Sequence, residues 1–128
     1  MNLQILKVEH ILQLHVLAVQ KYGGTEGIRD LGRLESAVAS QTQEVFGEAL
    51  YVTVYQKSAA LICNIIGDHP FFDGKKRTAM LSGITLLELN DIVFIANKGE
   101  LEDFAVKVAI DHLEIAEIAL WLEVHTRK

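Results

Sequence analysis

The chain is predicted to fold as an all-α protein, a single compact helical domain over residues 1–128 with a central buried helix. Three observations point there. Apolar residues recur at three- and four-residue spacings along most of the chain. Half of all residues are apolar and mean hydropathy is +0.23, enough to build a packed core. The one β-like run, Ile92–Ile95, is long enough only for a minor strand or hairpin arm. At 128 residues there is room for one domain and too little for two of ordinary size.

The opening helix is expected over Leu3–Tyr22, where Leu3, Leu6, His10, Leu14 and Leu17 form a stripe that Ile11 and Ala18 widen. Gly23-Gly24 ends it. After a loop from Thr25, Asp30 has the character of an N-cap for a helix over Leu31–Gln41. Phe46-Gly47 marks a second loop, and Leu50–Gly67 is helical again, with Val54, Ser58, Leu61, Ile62 and Ile65 on one face. Gly67-Asp68-His69-Pro70 must break that helix, because proline disfavours a helical residue before it. The next helix runs from Gly74 to about Asn90 and is apolar on nearly every side, which marks it as the central one. Lys98–Asp111 and Glu114–His125 close the chain as amphipathic helices.

Composition excludes several classes. Glycine and proline are modest and no low-complexity run is present, so the chain is not disordered. Charges break every apolar stretch before the roughly 18 residues that a bilayer crossing needs. Met1–Glu9 lacks the basic-then-apolar layout of a signal peptide, so a cytoplasmic protein without a membrane partner is expected. The single cysteine, Cys63, forms no internal disulfide and reads as a small core residue. A net charge of −5 argues against a nucleic-acid partner, which would normally meet a basic face. Lys75-Lys76-Arg77 is therefore a local positive island on an acidic chain.

That island closes the segment His69-Pro70-Phe71-Phe72-Asp73-Gly74-Lys75-Lys76-Arg77-Thr78. Histidine is the usual proton acceptor near neutral pH. A carboxylate such as Asp73 can hold Mg²⁺. Gly74, followed by backbone N–H groups and cations at a helix start, makes an anion site. Base, metal ligand and phosphate cradle are what phosphoryl or nucleotidyl transfer requires. Blander roles stand beside these: Asp73 as a helix cap, the cations as a solvated run, Arg29-Asp30 as a loop ion pair and cap. His10, His15, His112 and His125 form no metal-ligand spacing and are read as structural or exposed.

The pattern His-Pro-Phe-x-Asp-Gly-x-Lys-Arg-Thr between two apolar helices resembles the active-site loop of the Fic/Doc family. Its Lys76-Arg77-Thr78 ending is similar to the death-on-curing (Doc) branch. Tyr22-Gly23-Gly24, then Gly27-Ile28-Arg29-Asp30 and Leu34-Glu35-Ser36-Ala37, resemble the upstream signature of Doc-like chains. The resemblance implies a Fic/Doc-type helical domain in which His69 is the base and Phe71 anchors the loop. It makes Asp73 the Mg²⁺ ligand and places phosphate on Gly74, Lys75, Lys76 and Arg77. ATP is the implied co-substrate, a protein hydroxyl the acceptor, and elongation factor Tu the family target, with translation arrest the result.

Lys76 stands where the nucleotide-transferring Fic enzymes carry glycine, and Met80 stands where they carry a final arginine. Both differences favour phosphate transfer over AMP transfer, which is kept as the alternative. Lys75 departs from the asparagine usual in the family. It replaces a directed neutral donor with a flexible charge, and that charge is expected to lower the pKa of a nearby His69. A binding module that has lost catalysis is the second alternative. Ser40–Glu44 is the nearest match to the family's inhibitory helix and is followed by Val45. No internal inhibitor is read, so an antitoxin supplied as a separate chain is the expected control.

Overall fold

The computed structural model describes residues 3–25, 27–71 and 74–127. Helix α1 (Val8–Tyr22) begins at Val8 rather than Leu3. The residues before it stay outside the helix, and side chains from elsewhere take their backbone groups. Gln41 accepts from the Leu6 N–H at 3.0 Å and donates to the Leu6 carbonyl at 2.8 Å, while Asn90 accepts from the Gln4 N–H at 2.8 Å. Gly23 ends α1 at φ 85°, donating its N–H to the Val19 carbonyl.

Asp30 caps α2 (Leu31–Ala39) by accepting from the Arg33 N–H at 3.0 Å. A 3-10 turn over Ser40–Thr42 follows. A hairpin then pairs β1 (Glu44–Val45) with β2 (Glu48–Ala49), Glu44 opposite Ala49. Its turn, Phe46-Gly47, has both residues at positive φ, as a two-residue hairpin loop demands, and Phe46 is fully exposed. The hairpin delays the next helix to Val54. Ser40–Glu44 therefore spans a 3-10 turn and a strand and is no inhibitory helix.

Thr53 and Gln56 form a capping box at the start of α3 (Val54–Asp68), each side chain bonding the other's backbone N–H. Helix α4 (Lys75–Leu89) follows the site loop. Helices α5 (Lys98–Asp111) and α6 (Ile115–Val124) match the expected closing pair, and β3 (Val93–Phe94) pairs antiparallel with β4 (Thr126–Arg127).

The central pair is α3 and α4. Helix α3 packs on α2, α4, α5 and α6, and buries Ala59–Ile62, Ile65 and Ile66. Helix α4 packs on α1, α3 and α5 and buries Thr78–Met80, Ser82, Gly83, Leu86 and Leu87. It is less enclosed than its neighbour: Leu81 and Ile84 are half-buried and Leu89 is exposed. The two helices approach closely at Gly83, whose carbonyl accepts from the Ser58 hydroxyl at 3.2 Å. Cys63 is half-buried with its Sγ against the Leu113 carbonyl, and burial, then Asp68, push its thiol pKa up, as suits an inert core residue. Among the described residues no helix is long and apolar enough to cross a membrane.

Candidate active site

The site begins where α3 stops. His69 is the C-cap residue, in the left-handed region at φ 50° and ψ 53°, and Pro70 follows with no N–H to continue the helix. A histidine there is held against its preference, and the segment before α2 together with the first turn of α2 holds it. The Arg29 guanidinium donates to the His69 carbonyl at 3.0 Å, and Arg33 donates to the Asp68 carbonyl at 2.9 Å. The Pro70 carbonyl accepts from the N–H groups of Arg29 and Asp30 at 2.8 and 3.1 Å. Ile28 forms a β-bridge to Phe71. Every one of these contacts fixes backbone, and the His69 side chain is left facing outward.

Beneath the loop, Phe71 is buried and stacks on His15 with centroids 3.9 Å apart. His15 is buried as well and shares a 2.8 Å hydrogen bond with the Thr78 hydroxyl of α4. Gly74 caps α4 at φ 74°, a conformation that L side chains rarely adopt; a Cβ there would meet the His15 ring only at ordinary contact distance, 3.6 Å. Conformation, more than space, calls for the glycine.

Lys75, Lys76 and Arg77 then open α4, whose first N–H groups have no partners within the helix. The Lys75 ammonium reaches both ring nitrogens of His69, 3.1 Å from Nε2 and closer to Nδ1. Arg77 lies over the Tyr22 ring at 4.9 Å. These groups border a groove of about 540 Å³. His69, Gly74, Lys75, Lys76 and Arg77 give it polar lining, and Met80, Leu81, Leu101, Ala105 and Val106 give it apolar lining, with Glu102 also on the wall.

The His69 pKa lies below the ordinary histidine value. Partial loss of water around the ring is the first cause, although the side chain is largely exposed; the charges of Lys75, Arg29 and Arg33 add to it and Asp68 opposes. Burial and then Lys76 lower the pKa of Lys75 itself. The ring is thus neutral near pH 7, with a lone pair suited to taking a proton.

Of the residues singled out in the sequence, His69, Gly74, Lys75, Lys76 and Arg77 meet at one groove, and Phe71 is buried beneath it. Asp73 lies outside the described residues. Asp30 is a cap and pairs with Arg33 at 3.3 Å, while Arg29 holds the His69 carbonyl. Sequence reasoning missed Arg33; His15, read as structural or exposed, is buried and structural, and Tyr22, read only as part of the upstream signature, borders the groove. The Arg29–Arg33 spacing of four across a capping Asp30 was the available signal for Arg33.

The fold is helical, with a histidine at a helix break beside a groove edged by the cations of the next helix start. The chain belongs to the Fic/Doc family: that family's model matches residues 5–87. It is 33% identical over 100 residues to the protein named Toxin Doc from Mycolicibacterium smegmatis, covering 77% of each chain. It is 28% identical over 111 residues to the protein named Protein kinase doc from Escherichia phage P1, covering 87% of this chain and 86% of that one.

Proposed function

We propose that this chain is a Doc-like toxin of a toxin–antitoxin module, an Mg²⁺-dependent transferase that moves the γ-phosphoryl group of ATP to a Ser or Thr hydroxyl of a cytoplasmic protein. The observation that carries the reading is the meeting of His69 with three cations and the start of α4 at one groove. The names of the two relatives, a toxin and a protein kinase, support it. Elongation factor Tu is the target that the family resemblance suggests, and an antitoxin in trans is the proposed control. We take residues 1–128 as one functional domain.

The groove fits a nucleotide. Its volume falls within the roughly 300–1,000 Å³ of small-molecule sites, with an apolar wall for a base and cations for phosphates. His69 accepts the proton of the acceptor hydroxyl as that oxygen attacks the γ-phosphorus, whose bond to the bridging oxygen breaks to release ADP. Lys76, Arg77 and the N–H groups of the first turn of α4 hold the phosphate oxygens, and Gly74 supplies the turn that brings them there. Phe71 and Arg29 fix the loop from below and behind. Asp73, next to Gly74 in the chain, is the residue proposed to hold Mg²⁺, which neutralises phosphate charge when bound.

The test is incubation with γ-labelled ATP, Mg²⁺ and cell lysate, beside His69→Ala. Label on a protein band that His69→Ala loses is the expected result; equal labelling by both chains rejects the assignment. Label from α-labelled ATP instead would establish AMP transfer. The contact of Lys75 with His69 favours one further reading, a binding module without catalysis. Growth arrest on expression that survives His69→Ala would establish that reading.

A further inference from the structure

We infer that Tyr22 is a positioning residue for phosphate: its ring carries the Arg77 guanidinium, holding that cation at the groove while leaving its charge uncancelled. The inference rests on the reading of the groove as a polyphosphate site with Arg77 among its contacts.

Tyr22 is the last residue of α1, which Gly23 ends at φ 85°. Helix α1 packs on α4, and the end of one meets the start of the other at this pair. The Arg77 guanidinium carbon lies over the Tyr22 ring, 4.9 Å from its centre, within the range of a cation–π attraction. Both residues line the same groove. Tyr22 is 39% exposed and Arg77 is exposed as well, so an incoming anion can reach the guanidinium. An exposed arginine with nothing to rest on samples many rotamers, and a bound anion must immobilise it. On the ring it has fewer states left to lose. A carboxylate could also hold Arg77, but it would neutralise the charge and take up N–H groups that phosphate needs. The ring attracts the cation through its quadrupole and adds no charge of its own. Among the described residues no carboxylate pairs with Arg77. The Lys21 ammonium stands 5.4 Å from the same ring, so a cation of α1 and a cation of α4 both draw on it.

The experiment is calorimetric titration of the whole chain with tripolyphosphate at constant, low ionic strength. Wild type is compared with Tyr22→Phe, Tyr22→Leu, Arg77→Met and the double variant Tyr22→Leu/Arg77→Met. Arg77→Met should weaken binding roughly tenfold, the loss expected of one charge-assisted hydrogen bond. Tyr22→Leu should weaken it roughly threefold, as removal of an exposed cation–π pair does. Tyr22→Phe keeps the ring and should bind as wild type does. In the Arg77→Met background, Tyr22→Leu should weaken binding no further, whereas a general disturbance of the groove would carry over in full. Wild-type or tighter binding by Tyr22→Leu overturns the inference, as does a loss that persists without Arg77 or that Tyr22→Phe shares. Wild-type binding by Arg77→Met would reject Arg77 as a phosphate contact, and the inference with it. A weakened Arg77→Met beside an unchanged Tyr22→Leu would reject the inference alone.

Discussion

His15 lies flat against Phe71, with an angle of 11° between the rings, and the same imidazole bonds the Thr78 hydroxyl on α4. One buried side chain of α1 thus braces both the site loop and the helix that carries the cations. Phe71→Ala should cost about 3–5 kcal/mol of stability through the cavity it leaves. His15→Phe keeps an aromatic ring under Phe71 but strands the buried Thr78 hydroxyl, and should cost about 1–3 kcal/mol. Urea denaturation checks both; a wild-type midpoint for Phe71→Ala would mean that the loop is not anchored through this stack.

The left-handed backbone at His69 sets function against stability. His69→Gly should be more stable than His69→Ala by about 1 kcal/mol, because glycine adopts that conformation without steric cost. Both should be equally inactive. Thermal unfolding and the labelling assay, run on the two variants together, test the pair of claims.

The depressed pKa of His69 has a pH consequence with a definite sign. The unfolded chain binds the proton more tightly than the folded one, so this residue's contribution to stability is full above about pH 6.5. It falls away as pH drops below that value through the folded pKa. Removing the Lys75 charge with Lys75→Asn takes away a cause of the depression and should raise the His69 pKa. Titration of the imidazole Cε1 proton by NMR measures the shift; an unmoved or lowered value contradicts the electrostatic account.

Gly83 lets α3 and α4 close on each other. A Cβ built there would lie 2.4 Å from Cδ1 and 2.6 Å from Cγ1 of Ile62, which is fully buried and has little room to yield. Gly83→Ala should therefore destabilise by about 1–3 kcal/mol. Ile62→Val, which removes Cδ1, should recover part of that loss in the double variant. Purely additive costs in a denaturation cycle would show that the two residues do not compete for this space.

Much of this arrangement was legible in the chain. The breaks at Gly23, at His69-Pro70 and at Gly74 fall where glycine and proline chemistry puts them, and α5 and α6 have the ends that their periodicity suggests. The early start assigned to the first helix failed because Leu3 and Leu6 fit a helical stripe while Gln41 and Asn90, distant in sequence, claim the backbone around them. The hairpin before α3 was missed for a related reason: Glu44–Ala49 is short, exposed and without alternation, although Thr53-x-x-Gln56 was a usable start signal for α3. At the site, residue types gave the chemistry, and local spacing gave the cation cluster. The support from His15 and Arg33 depends on tertiary contacts that no local pattern encodes.

One feature of α4 bears on energetics as well as binding. Its first turn carries three cations and no acid, at the end of a helix dipole that is already positive. Those charges oppose the backbone's own field and so cost stability in the free protein. An incoming polyphosphate does more than find partners; it cancels a repulsion built into the protein. Ligand affinity and thermal stability should consequently rise together, and both gains should shrink as salt performs the same cancellation without occupying the site.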